Sequence, residues 1–114
     1  MSDAKTIKRQ LTIKTGVVKR LVKEEKSYIK EAEDQEARVV KFESEGKEEW
    51  EIKKQREVLQ DCRQMIPDCR KRLLIAMEDL KGVLESVEGE AADSDEAKAA
   101  REVLQSATSS VEIE

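Results

Sequence analysis

The sequence predicts an all-α fold: a single domain over 1–114, an elongated antiparallel three-helix bundle with two long helices, a shorter third and a proline kink in the second. Three observations predict it. Charged residues make up 42% of the 114, hydrophobic ones 38% and aromatics 3%, with four glycines and one proline. An all-β domain would need more β-branched, aromatic and turn residues. Two long segments carry apolar residues at the a and d positions of successive heptads. Finally, those two patterns stand in register about one turn.

Helix 1 is expected over about 6–44. Its a and d sites are Leu11, Lys14, Val18, Leu21, Glu25, Tyr28, Ala32, Gln35, Val39 and Phe42, seven of ten apolar. Gly16 is a local weakness in it. Gly46 is the pivot of the turn that follows. Helix 2 is expected over about 48–87, with Ile52, Gln55, Leu59, Cys62, Ile66, Cys69, Leu73, Ala76, Leu80, Val83 and Val87 on its seam, ten of eleven apolar. Pro67 interrupts it, removing one backbone donor and pressing on the Arg63 carbonyl, at roughly 3 kcal/mol if uncompensated. A kink that lets the hairpin curve is one consequence; a carbonyl shaped into a partner surface is the other. Gly89 to Asp93 forms a second connection. Asp93 and Glu96 have capping-box spacing and start helix 3, about 94–111, with Ala97, Ala100, Leu104, Ala107 and Val111 on one face. The last few residues are expected to fray.

Facing residues of an antiparallel hairpin have residue numbers of constant total. For helices 1 and 2 that total is 94, pairing Phe42 with Ile52, Tyr28 with Ile66, Glu25 with Cys69 and Ile7 with Val87. Each helix would be about 58 Å long at 1.5 Å per residue. A compact domain of this size has a radius of gyration near 13 Å, so an elongated form is expected. The e sites of helix 2 are Arg56, Arg63, Arg70, Met77 and Leu84. Helix 3 should cover the two apolar ones and stop near Leu73.

The composition also bounds the chemistry. There is no histidine, the usual general base and commonest metal ligand. Cys62 and Cys69 lie seven apart on one helix, about 10.5 Å along its axis, too far to bridge. They read as small seam residues, free thiols suited to a reducing cytosol. No zinc spacing, phosphate loop or nucleophile elbow is present. An enzyme, a cofactor and a metal are therefore not expected. No apolar run approaches the roughly 20 residues that span a bilayer, and no signal segment opens the chain.

Charge alternates along the chain. Residues 1–30 carry net +6, 31–51 net −6, 52–81 net +3 and 82–114 net −7. Between Ala4 and Lys23 stand seven basic residues and no acid. This is either a solvated face or a surface that steers an acidic partner. Nucleic acid fits less well, because the chain is acidic overall and Trp50, Tyr28 and Phe42 are too scattered to form a stacking platform.

Residues 13–24, I-K-T-G-V-V-K-R-L-V-K-E, followed by Tyr28 and the K-E-A of Lys30–Ala32, resemble the tubulin-binding cofactor A family. So do I-K-K-Q at Ile52–Gln55, the later V-L-Q, M-I-P-D-C at Met65–Cys69 and R-L at Arg72–Leu73. The E-A-K-A-A-R-E-V-L of the third helix is similar but less specific. Trp50 stands where a tyrosine is expected. The resemblance implies a small cytoplasmic, cytoskeleton-associated three-helix protein, monomer or homodimer. It implies binding to β-tubulin released from the cytosolic chaperonin, held quasi-native before transfer to other tubulin cofactors, without nucleotide or chemistry. The alternative is a generic coiled-coil adaptor or oligomerisation module, which seams, charge blocks and reduced cysteines fit equally.

Two candidate surfaces follow. Lys19, Arg20 and Lys23 are expected to steer the acidic surface that the resemblance implies for β-tubulin. Val22 and Ile29, at e sites of helix 1, are expected to form an apolar strip beside Arg63 and Arg70. Those guanidinium groups should lack acidic partners, while Arg56 lies near Glu36. Such a strip would accept an acidic amphipathic helix. Alternatively, the two arginines lay their methylenes over the apolar residues.

Overall fold

The computed structural model describes residues 3–113. Helix α1 runs Ala4–Ser44, α2 Glu49–Ser86 and α3 Asp95–Ile113, with a 3-10 helix at Gly89–Asp93. No strand occurs among the described residues. The expected bounds hold to within two residues at each described end. Residue 114, in the tail expected to fray, lies outside the described residues.

Local chemistry explains each boundary. Asp3 caps α1, its Oδ1 accepting from the Thr6 amide at 2.8 Å. At the other end, Gly46 has φ +66°. Its amide donates to Glu43 O at 3.2 Å, and Lys47 N donates to Phe42 O at 3.1 Å. This paired arrangement closes a helix on a left-handed glycine. Glu51 Oε2 then reaches back to the Glu48 amide at 3.1 Å to open α2. Pro67 lies inside α2, which continues through it to Ser86.

The cap of α3 differs from expectation. Ser94, not Asp93, supplies it: Ala97 N donates to Ser94 Oγ at 3.2 Å, and Ser94 Oγ donates to Ala91 O at 2.6 Å. Asp93 is taken up by the 3-10 helix, which leaves Ser94 as the first extended residue (φ −73°, ψ 160°) before the helix.

The tertiary contacts divide the chain into two compact units, Lys23–Arg70 and the pair Met1–Val22 with Lys71–Glu114. Every a and d site named above on α1 and α2 is buried or half-buried. In the unit holding both termini, Leu11, Val18, Leu73, Leu80, Ala97, Ala100 and Ala107 are fully enclosed. There α3 covers the e flank, as expected. Leu74, Met77, Glu78 and Lys81 of α2 share one groove with Leu104, Gln105 and Thr108, and Thr15, at an e site of α1, is 5% exposed.

The Lys23–Arg70 unit is a two-helix hairpin, and its side-chain pairs report its register. Arg56 donates to Glu43 Oε2 at 2.6 Å, and Arg63 Nη2 lies 3.5 Å from Glu36 Oε2. The residue numbers in both pairs total 99. An e site lies four residues past its a site and, on the other helix, one past its d site, so e-flank pairs on a seam totalling 94 must total 99. Within the seam, Gln35 Nε2 donates to Gln55 Oε1 and Gln55 O, each at 2.9 Å. Two polar residues in adjacent layers thus satisfy each other without leaving the core.

Candidate partner-binding surface

The seven residues expected to bind a partner do not form one uniform strip. Lys19, Arg20 and Lys23 are exposed on the outer face of α1, and Val22 and Ile29 are half-buried. Lys19 also lines a groove of about 420 Å³ with Thr12, Thr15, Gly16, Asp95, Glu96 and Ala99. The first turn of α3 thus places two carboxylates beside it. Another basic residue of this stretch, Lys8, has Nζ 3.9 Å from Glu90.

Arg63 and Arg70 are not unpaired, which corrects the expectation. Arg63 meets Glu36, and Arg70 Nε donates to Glu25 Oε2 at 3.0 Å. Arg56, expected near Glu36, meets Glu43. Counting the flank as e against e, four past one seam site and one past the other, would have found both surface pairs in the sequence. Glu25 swings from its seam position to the adjacent e site, and its side chain is 1% exposed against 30% for Arg70. This is the basic neighbour that a carboxylate on an apolar seam requires.

Arg56 and Arg63 border a groove of about 440 Å³ that is also lined by Val39, Leu59, Glu36, Glu43 and the exposed Val40. Cys62 and Cys69 are free thiols on the seam, half-buried and buried. Among the described residues, no helix is long and apolar enough to cross a membrane, and no three His, Cys, Asp or Glu side chains gather as metal ligands would.

Heptad-paired helices with polar flanks zipped by ion pairs, and with no strand among the described residues, define an all-α helical-hairpin protein with a shorter third helix. The chain belongs to the tubulin binding cofactor A family, whose model matches residues 6–104. It is 53% identical over 98 residues to the tubulin-specific chaperone A of Rattus norvegicus, covering 86% of this chain and 90% of the other. The structure of human tubulin chaperone cofactor a superposes with a TM-score of 0.76 at 49% identity, covering 90% and 98% of the two chains. Tubulin folding cofactor A from Arabidopsis thaliana gives 0.81 at 37% identity, covering 91% and 97%. Rbl2p, described as a β-tubulin binding post-chaperonin cofactor, gives 0.79 at 34%, covering 90% and 98%.

Proposed function

We propose that this protein is a cytoplasmic tubulin-folding cofactor that binds β-tubulin after its release from the chaperonin. It holds β-tubulin in a quasi-native form until transfer to other tubulin cofactors, without nucleotide and without catalysis. One observation carries the reading: the family match extends from residue 6 to residue 104, through all three helices. The β-tubulin ligand comes from the related Rbl2p, described as binding it.

Electrostatics supports a route to the client. Lys19, Arg20 and Lys23 are exposed within a stretch of α1 that has no acid from Ala4 to Lys23. They are the first contact for an acidic surface, acting over about 8 Å at physiological salt. With Arg63 and Arg70 engaged by Glu36 and Glu25, this role falls to α1.

A pull-down from cytosol tests the reading. A near-stoichiometric band of β-tubulin without α-tubulin is the expected result. Recovery of no tubulin, or of α- and β-tubulin equally, refutes it and favours a generic helical adaptor.

A further inference from the structure

In the unit that holds both termini, the basic stretch of α1 lies against an acidic one. Residues 88–96 carry five carboxylates and no base. Lys8 Nζ is 3.9 Å from Glu90, and both line a groove of about 460 Å³ with Asp93, Ser94, Asp95 and Glu96. Asp95 and Glu96 also line the groove of about 420 Å³ that holds Lys19. The next bases on α3 are Lys98 and Arg101. Neither lines these grooves, and the Arg101 guanidinium donates to Ala92 O at 2.7 Å. The groove at Lys19 contains two unsatisfied atoms. Thr15 is 5% exposed, and neither its hydroxyl nor the buried Oε2 of Glu96 has a hydrogen-bond partner among the described residues. The Thr12 hydroxyl donates instead to Lys8 O at 3.0 Å. Of the residues lining this groove, only Lys19 is cationic. A buried carboxylate oxygen without a donor is costly, and an ammonium on a flexible stem can supply one.

We infer that residues 88–96 are an internal competitor for the basic face of α1: their carboxylates engage Lys8 and Lys19, and an acidic partner must displace them to use that face. The inference rests on the β-tubulin reading and makes the encounter selective. Glu90 lies well inside the distance of about 8 Å over which exposed charge acts at physiological salt, so it draws down the attraction that Lys8 offers to any anion. Lys19 is drawn toward Glu96 Oε2, whose missing donor it supplies, and away from the outer face of α1. A sparse or flexible polyanion gains too little to replace these contacts. A dense, fixed acidic surface gains more. The acidic segment thereby filters partners at a face that basic charge alone would open to every polyanion.

Two variants of the full chain test it, Asp95→Asn with Glu96→Gln, and Glu90→Gln alone. Glu78→Gln with Glu85→Gln removes two exposed acids of α2 outside both grooves and controls for net charge. Association with β-tubulin is followed by stopped flow. The salt that elutes each variant from immobilised heparin, a polyanion, gives a second reading that needs no client. Melting is followed in parallel. The variant at 95 and 96 should associate about twofold to fivefold faster and leave heparin at higher salt. Glu90→Gln should move both readings the same way by less, and the control should move them least. In a chain carrying Lys8→Gln with Lys19→Gln, the change at 95 and 96 should bring no gain. Glu90 lies in the 3-10 helix, so its variant reads the competition even if losing two acids from the first turn weakens α3. No gain in either folded variant overturns the proposal. So does a gain that the control matches, or one that survives without Lys8 and Lys19. If the wild-type chain takes no β-tubulin, the functional reading has failed, and the heparin series alone decides whether the segment masks the basic face.

Discussion

Glu25 occupies an a site and is 1% exposed, yet it is a carboxylate. A buried charge is tolerable only when paired, and Arg70 Nε at 3.0 Å supplies the pair. Removing the arginine while leaving the carboxylate should cost about 3 kcal/mol. We expect Arg70→Met to lower stability in urea denaturation by that order. Replacing both, Glu25→Leu with Arg70→Met, should cost much less, because no uncompensated charge remains. An additive loss in the double variant would show that the pair is not the unit that matters. Asp3 responds to pH. The hydrogen bond from the Thr6 amide holds its carboxyl below the usual value of 3.8. A lowered value in the folded state means that the cap contributes fully above 3.8 and is lost as pH falls through the folded value. The Thr6 amide resonance should therefore titrate on acidification, and Asp3→Ala should abolish that titration.

At the scale of elements, the two turns and the helix interiors ask opposite things of glycine. Gly46 has φ +66° and closes α1. Gly82 lies within α2, with nothing within 4 Å of where a Cβ would sit. Gly82→Ala should stabilise the chain by up to about 1 kcal/mol, since alanine loses less entropy in a helix. Gly46→Ala should destabilise it by about 1–2 kcal/mol, the cost of the left-handed conformation for a residue with a Cβ. Thermal melts of the two variants should move in opposite directions. Pro67 poses a related question. Its missing amide leaves the Arg63 carbonyl without its usual donor, although α2 runs on to Ser86. Pro67→Ala should raise stability by up to about 3 kcal/mol. Unchanged client affinity in that variant would assign the proline a purely structural role.

At the scale of the whole molecule, charge alternates along the chain, from net +6 over residues 1–30 to net −6 over 31–51. Exposed charge acts mainly on encounter rates, and salt screens it. Reversing Lys19, Arg20 and Lys23 to glutamate should slow association with β-tubulin several-fold and change dissociation less. The wild-type on-rate should fall as salt rises. Stopped-flow measurements over a salt series would decide it, and a salt-independent, unchanged on-rate would end the steering argument.

Much of this was legible before any coordinates. Heptad spacing alone placed the seam, since a 3.6-residue period leaves few ways to bury Leu11, Val18, Leu73 and Leu80 together. The agreement of two patterns around Gly46 placed the hairpin. The motifs at residues 13–24 and 65–69 carried the family resemblance. Tertiary structure decided what depends on the reach of long side chains. Arg63 and Arg70 looked unpaired because their e sites were matched with Ile29 and Val22, although the seam itself sets Arg63 opposite Glu36; Arg70 gains its partner only because the long Glu25 side chain swings out of its seam site. The cap of α3 moved from Asp93 to Ser94 because a 3-10 helix, for which the local residues gave no periodic signal, took up Asp93 first. The exposure of Val58 and Met65, 40% and 38%, is likewise set by packing. Periodicity is a property of one helix and can be read from its sequence, and the register of the surface pairs follows from it; the swing of a long side chain off its seam site and its exposure belong to two helices at once, and only their packing determines them.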